Sequence, residues 1–414
     1  MAAFPCRKGV STHLARALPR DPRLYLLFGV VFLVSVGFGI VLPLLPFLAR
    51  ELGADGRQLG LLTGSYALTQ FLFSPFWGSV SDRVGRRRIL MVGTIGLTIS
   101  FFAMTIAPTY EWLLFIRILG GTLSAAAIPT AQAYAADLTA RENRSQVMGL
   151  MGAAVGLGFV VGPAIGGLLS AWGSALPFIA GGVLALLTTL GCWRMLPESK
   201  AQTESESQTE SRLKTIVQAL ASPIAPYLAI TLIVMLGNAS IMSFLSYYLA
   251  DRFFVDERTA SGAFVLVGIA SAFFQGYLVG RITRRYGEDR TIVIALVVGG
   301  IGFIGLALSP ALWVAMLFVM VSTSGMSLAR PAVTAAISTT TRFEQGVSLG
   351  VQTSFDSLGR VLGPMLAGVL YDWDITIPFF ASALLYALTA HFMMWWLRRT
   401  GMIQPTKMGG KADR

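Results

Sequence analysis

Residues 24–49 read LYLLFGVVFLVSVGFGIVLPLLPFLA, 26 residues without one charged side chain. A hydrocarbon core of ~30 Å needs about 20 apolar residues in helix, so this stretch spans a membrane. Working outward from it, eleven more segments have the same character: 58–80, 89–108, 112–136, 146–170, 175–195, 225–250, 259–280, 291–309, 312–337, 346–371 and 375–397. The uncharged run 145–193 is too long for one crossing and divides at Trp172-Gly173 and Pro177; the run 291–329 divides at Ser309-Pro310. What is left suffices for turns and tails only. Composition agrees. Of 414 residues, 54% are apolar and 13% charged, against about 25% charged in a soluble domain. A water-soluble globule of this composition would expose far too much apolar surface.

The net charge of +11 would suggest nucleic acid in a soluble protein. Here the basic residues follow the membrane rule instead. With a cytoplasmic N-terminus, 25 of the 32 Lys and Arg fall in tails and inner loops. Four fall in outer loops (Arg50, Arg57, Arg252, Arg258) and three inside spans (Arg117, Arg330, Arg360). That asymmetry places both termini in the cytoplasm of a multi-pass protein, in a cell inner membrane. All eight tryptophans (77, 112, 172, 193, 313, 373, 395, 396) lie at span ends, as an interfacial belt requires. The first apolar stretch is too long for a signal peptide, and no small-residue cleavage site follows. Cys6 and Cys192, with His13 and His391, offer neither a structural disulfide nor metal-ligand spacing, so no metal and no cofactor is expected.

The segment PESKAQTESESQTESRLK, 197–214, is polar and has nothing to bury. It separates six spans from six. The chain therefore reads as a cytoplasmic tail (1–23), a six-helix bundle (24–196), a cytoplasmic linker (197–222), a second bundle (223–397) and a cytoplasmic tail (398–414). The halves repeat at an offset near 202. Gly78-Ser-Val-Ser-Asp-Arg-Val-Gly85 matches Gly280-Arg-Ile-Thr-Arg-Arg-Tyr-Gly287, Pro129 matches Pro331, and Gly158-Phe-Val-Val-Gly-Pro163 matches Gly359-Arg-Val-Leu-Gly-Pro364 at 201. Separated matches at one spacing indicate duplication. Two bundles related by an axis along the membrane normal suit alternating access around a midplane site.

Three motifs carry a resemblance. Gly78 through Arg88 resembles the loop between spans 2 and 3 of the major facilitator superfamily. Phe115-Ile-Arg117-Ile-Leu-Gly120-Gly121 resembles its fourth-span motif, and Gly158-Phe-Val-Val-Gly162-Pro163-Ala-Ile-Gly166-Gly167 resembles the fifth-span motif of its 12-span drug/proton antiporters; Tyr66-Ala-Leu-Thr-Gln70 through Arg88, with Val279-Gly280-Arg281-Ile282, looks most like their tetracycline and multidrug efflux branch. The resemblance covers the whole chain. It implies an all-α fold of twelve transmembrane helices in two pseudo-symmetric six-helix bundles. It further implies an inner gate at Gly78, Asp82, Arg83, Gly85, Arg86 and Arg87, in which Asp82 latches the N-half to the C-half in one state and releases it in the other. In the family the span bearing Gly158, Gly162, Pro163, Gly166 and Gly167 packs between the halves and seals against leak. Arg117 would be linked to proton transfer.

From the residues themselves, Asp356 is the only acid deep within any span. Gln352, Asp356 and Arg360 are four apart and share one helix face, which cannot point at lipid. Desolvation and a neighbouring arginine would pull on Asp356 in opposite senses, making it a candidate proton carrier together with Arg117 and Arg360; a static Asp356–Arg360 pair is the bland alternative. Candidate cavity residues are Ser35, Phe38, Tyr66, Gln70, Gln132, Asn238, Phe244, Gln275, Arg330 and Gln352. Tetracycline exporters carry acids in spans 1, 3 and 9 and a histidine in span 8, where this chain aligns Ser35, Ser100, Gly300 and Ser271 or its neighbours. A metal-chelated tetracycline is thus a poor fit, and so is a strongly cationic drug, which needs a buried counter-charge. Neutral, amphipathic or anionic compounds fit better. The expectation is a monomeric secondary transporter exporting a small hydrophobic or amphipathic compound in exchange for protons. An uncoupled facilitator or lipid-like flippase is the alternative, and a non-transporting receptor of the same fold the remote one. No catalytic constellation supports an enzyme.

Overall fold

The computed structural model describes residues 21–198, 218–341 and 345–399; most of the two tails, most of the linker and Arg342 lie outside the described residues. The described residues are helical, with no strand. In chain order the helices are α1 (Pro22–Glu51), α2 (Gly56–Val84), α3 (Arg86–Thr105), α4 (Tyr110–Asp137), α5 (Arg144–Ser170) and α6 (Leu176–Met195). The second set is α7 (Ala225–Phe253), α8 (Glu257–Tyr286), α9 (Glu288–Ala307), α10 (Leu312–Thr340), α11 (Gln345–Tyr371) and α12 (Ile377–Arg399). Each expected span falls on one of these twelve helices, with those expected at 89–108, 175–195, 291–309 and 375–397 overrunning their helix by one to three residues.

Local chemistry sets where they start and bend. Asp21 precedes Pro22 and caps α1 through the Arg23 amide, while Asp55 and Gln58 form a reciprocal capping box on α2. Gly85 and Gly287, equivalent under the duplication, open α3 and α9 with φ of +112° and +79°, a region glycine enters without a Cβ clash. In α4 the helix breaks at Ala125–Ala126, because the ring of Pro129 collides with the carbonyl four residues back. In α8 one π turn, Phe274–Leu278, interrupts the ladder.

The packing repeats as the sequence does. Helix α1 lies against α5 and α6, and α3 against α4 and α6; likewise α7 lies against α11 and α12, and α9 against α10 and α12. Between the sets, α2 meets α11 and α5 meets α8, two pairs that a twofold operation exchanges, while α1 meets α7 near the axis. Among the described residues ten helices are long and apolar enough to cross a membrane; α2 and α11, at 29 and 27 residues, have the length but less apolar character. Their place explains it: they pack on each other between the bundles, so protein covers much of the surface that lipid would otherwise require to be greasy.

Glycines permit the closest approaches. Gly162 packs backbone to backbone on Gly39, and Gly158 seats Ser35 and the Phe32 carbonyl. The duplicates Gly359 and Gly363 receive Met235 and Ala239 of α7. Small residues at this spacing let two helix backbones approach.

Candidate functional site

The two bundles touch at one end and part at the other. Along the antiparallel α2–α11 seam, Gly56 faces Gly368 and Asp372, Gly60 faces the Pro364 backbone, and Gly64 faces Val361 and Met365. On the opposite side Gly167 faces Ser261, and Gly268 faces Val160. Toward the arginine-rich loops the contact ends. A Cβ built on Gly78, Gly149, Gly152, Gly156, Gly276 or Gly280 would meet nothing within 4 Å. Leu72, Phe76, Phe273 and Tyr277 are exposed there. The halves thus enclose a chamber that opens toward the arginine-rich end.

Polar groups lock the sealed end. Arg50 pairs with Asp251 at 2.7 Å and lies 4.4 Å over the Tyr247 ring. The Tyr371 hydroxyl donates to Asp251 Oδ2 at 2.6 Å, the Tyr247 hydroxyl to the Ala54 carbonyl at 3.2 Å, and Ser246 Oγ to the Pro43 carbonyl at 2.8 Å. Asp372, at the end of α11, accepts from the Gly56 and Arg57 amides at 2.7 and 3.1 Å, with Arg57 Nε at 3.3 Å. A carboxylate of one half therefore caps the positive end of a helix in the other. Sequence reasoning singled out none of these as a gate, though one signal was available. Arg50 and Asp251 are 201 residues apart, the duplication spacing, and a residue near a pseudo-twofold axis meets its own counterpart. A partly buried carboxylate at a helix N-terminus contributes about 1 kcal/mol, so Asp372→Asn is expected to shift the equilibrium about fivefold toward opening of this end. Faster alkylation of a cysteine introduced at Arg57 would register the shift; an unchanged rate would deny the cap a role.

At the arginine-rich end the latch expected between halves is not made. Asp82 pairs with Arg86 of its own half at 2.5 Å, and Arg86 also holds Asp137 at 3.0 Å and Ser81 Oγ at 2.7 Å. Glu198 accepts from the Arg87 amide at 3.1 Å and pairs with Arg88 at 3.5 Å; Arg87 donates to the Trp193 carbonyl. Gly85 and Glu198 are in close contact and Gly78 has open space around it, while Arg83 is exposed. These bonds tie α2, α3, α4 and the end of α6 into one block, because in this state the other bundle stands away from them.

The chamber walls differ in charge. In the N-half Arg117 is buried, its guanidinium 4.0 Å over the Tyr66 ring and its Nε 3.4 Å from the Leu62 carbonyl. Tyr66 shares a 2.6 Å hydrogen bond with Ser124 and meets the edge of Phe38 at 5.8 Å. In the C-half, α10 and α11 are joined by two rungs one turn apart: Arg330 to Asp356 Oδ2 at 2.9 Å, and Gln352 Nε2 to Thr334 Oγ1 at 2.9 Å. The aspartate's partner is therefore Arg330 on the neighbouring helix, not Arg360 on its own, because helical spacing puts two residues on one face without aiming them at each other. Asp356 Oδ1 is buried with no hydrogen-bond partner among the described residues.

Other candidates sort by position. Gln70, Gln132 and Asn238 are half-buried and Gln275 lies exposed in the π turn of α8; none makes a side-chain hydrogen bond among the described residues. Ser35 does not line the chamber: it is buried against Gly158 and donates to the Val31 carbonyl. Phe244 does not line it either, being buried against Tyr371 in the sealed end. Helix α5, which carries the fifth-span motif, meets α8 of the other bundle, while three of its four motif glycines face their own half. Gly158, Gly162 and Gly166 hold α1 of the same half, with Pro163 against Gly39, while Gly167 and Val160 of the motif face the other bundle.

The chain matches the family model described as Major Facilitator Superfamily over residues 27–347 and 227–410. It is 32% identical over 373 residues to multidrug resistance protein 1 of Bacillus subtilis, covering 88% of this chain and 94% of that one. It is 29% identical over 365 residues to quinolone resistance protein NorA of Staphylococcus aureus, covering 87% and 93%. Among solved structures it resembles a bacterial homologue of the human lysosomal transporter Spinster, inward-facing and unoccupied, with a TM-score of 0.72 at 17% identity, covering 96% and 100%.

Proposed function

Since the chain belongs to the major facilitator superfamily and is a multi-pass secondary transporter working by alternating access, we propose that it exports small amphipathic compounds across the cell inner membrane, as a monomer, in exchange for protons. The multidrug and quinolone resistance proteins it resembles support the export of such compounds. The Lys/Arg asymmetry supports cytoplasmic termini and linker, with bundles at 24–196 and 223–397. On that orientation the arginine-rich end faces the cytoplasm, and the chamber stands open inward with its outer end shut.

The observation that carries the proton reading is Asp356. It is a buried carboxylate in the wall of the open chamber, with one oxygen held by Arg330 and the other without a hydrogen-bond partner among the described residues. A proton on Oδ1 would weaken the bridge to Arg330. That gives the C-half two electrostatic states which protonation selects, and a proton carrier needs no more. Arg117, buried beside Tyr66 in the facing wall, is the second member of the coupling set, and Arg360 the third.

The test uses proteoliposomes with an imposed pH gradient and a panel of amphipathic compounds, reading substrate flux and lumenal pH together. Wild type is expected to move protons with substrate. Asp356→Asn is expected to lose the gradient-driven component at least tenfold while retaining downhill exchange. Full coupling in Asp356→Asn would remove the residue from the proton path. Downhill flux in wild type with no proton movement would make the protein a facilitator, and binding without flux a receptor.

A further inference from the structure

The duplicated loops at the arginine-rich end have diverged in charge. In the N-half, Asp82, Asp137 and Glu198 pair with Arg86 and Arg88. At the spacing of 202 those acids become Arg284, Thr339 and Thr400. The C-half carries Arg281, Arg284 and Arg285 in the last turns of α8, at i, i+3 and i+4 and so on one face. All three are exposed, and among the described residues none forms an ion pair. Arg284 stands four residues before Glu288, yet its Nε donates to the Gly280 carbonyl at 2.9 Å. Asp289 accepts from the Tyr227 hydroxyl at 2.7 Å. The membrane rule accounts for the sign of this charge. It does not account for the missing partners, since the N-half loop obeys the same rule with its pairs made.

Toward the span the same face is aromatic. Phe273 and Tyr277 stack with ring centroids 5.6 Å apart and planes at 23°. The Arg281 guanidinium lies 3.6 Å over the Tyr277 ring and donates to the Tyr277 carbonyl at 2.8 Å. Both rings are exposed, and a Cβ on Gly276 or Gly280 beside them would meet nothing within 4 Å, so the column is uncovered. Arg281 and Arg284 reach back to carbonyls three residues apart on one helix, which sets the two guanidiniums side by side about one turn apart. From Phe273 to Arg281 the helix rises about 12 Å. Over that distance the surface passes from apolar to cationic, as a phospholipid passes from acyl chain to phosphate. Guanidinium forks match phosphate oxygens, and arginines just beyond a span sit where anionic head groups lie. A soluble anion would use the arginines and leave the rings bare.

We propose that this face of α8 binds an anionic phospholipid of the adjoining leaflet, its phosphate between Arg281 and Arg284, with Arg285 adding charge, and an acyl chain along Phe273 and Tyr277. On the orientation proposed above that leaflet is the cytoplasmic one; the site itself does not depend on transport. The N-half loop offers no counterpart, because its acids already hold Arg86 and Arg88.

The full chain is titrated in detergent with dioleoyl phosphatidylglycerol or dioleoyl phosphatidylcholine, which share their tails, and native mass spectrometry reads the affinity of the first lipid bound. Phosphatidylglycerol is expected to bind at least tenfold more tightly. Arg281→Gln with Arg284→Gln is expected to abolish that preference. Arg398→Gln with Arg399→Gln removes as much charge from exposed arginines at the same end and is expected to keep it. Tyr277→Ala is expected to weaken phosphatidylglycerol about threefold. The replaced side chains are all exposed, and gel filtration checks that the variants fold. Glycerol 3-phosphate, a head group without tails, is expected not to displace the lipid. Equal affinity for the two lipids overturns the proposal, as does a preference that survives loss of Arg281 and Arg284 or falls equally in the Arg398 and Arg399 control. Unchanged affinity in Tyr277→Ala would remove the acyl-chain contact, and displacement by glycerol 3-phosphate would make this a site for free phosphate; either result sinks the lipid assignment.

Discussion

Gly60→Leu is expected to cut transport at least a hundredfold while the protein stays folded. A Cβ on residue 60 would land on the Pro364 carbonyl oxygen, with Met365 Cα at 3.3 Å. These are backbone atoms of a helix in the other bundle and cannot rotate aside as a side chain would. Forcing even a methylene into a packed contact costs typically 1–3 kcal/mol, and leucine adds more. At ~3 kcal/mol the sealed end loses by ~150-fold, a factor of ten for each 1.4 kcal/mol. Both bundles keep their internal contacts, so the loss falls on the equilibrium between states and leaves folding intact. Spin labels at Glu51 and Trp373 would show a longer distance, with thermal stability near wild type. An unchanged distance would mean that the α2–α11 seam does not govern closure.

Gly162→Val, by contrast, is expected to reduce the yield of folded protein at least tenfold. The added Cβ would sit 2.5 Å from the Val36 carbonyl and 2.7 Å from Gly39 Cα. This contact joins α1 to α5 inside one bundle, so no transport state relieves it, and the cost lies at or above ~3 kcal/mol. Gly152→Val, on the same helix but in open space, is the matched control and is expected to purify normally. Recovery of Gly162→Val as a monodisperse protein at wild-type yield would contradict the close packing of α1 on α5. The pair of variants also separates the roles of the fifth-span glycines: Gly158, Gly162 and Gly166 serve the bundle, while Gly167 meets the partner bundle at Ser261.

Much of this was legible beforehand because lipid imposes a one-dimensional rule. Each span must be apolar over about 20 residues, and loops must divide their basic residues by side. Spans and duplication therefore follow from residue order, the proposed orientation rests on it too, and the matched offsets near 202 account for Gly85 and Gly287 both taking positive φ. The site was legible only in part. That Asp356 could not face lipid follows from its type; that it binds Arg330 does not, since i, i+4 spacing shows which residues share a face and leaves open what lies opposite. Ser35 and Phe244 illustrate the same limit. A polar or aromatic residue within a span reads alike whether it lines a chamber or fills a contact.

By itself, residue order determined what each segment must avoid: charge in lipid, arginine on the wrong side, a side chain where a helix must come close. Only tertiary structure decided which end is shut, that Asp372 caps a helix of the opposite bundle, and that Asp356 binds Arg330 and not Arg360. The reason is geometric. Burial and periodicity act along a single chain, whereas gates and ligand sites arise from the relative rotation and tilt of helices far apart in sequence, and two packings of the same helices satisfy the lipid rule equally well.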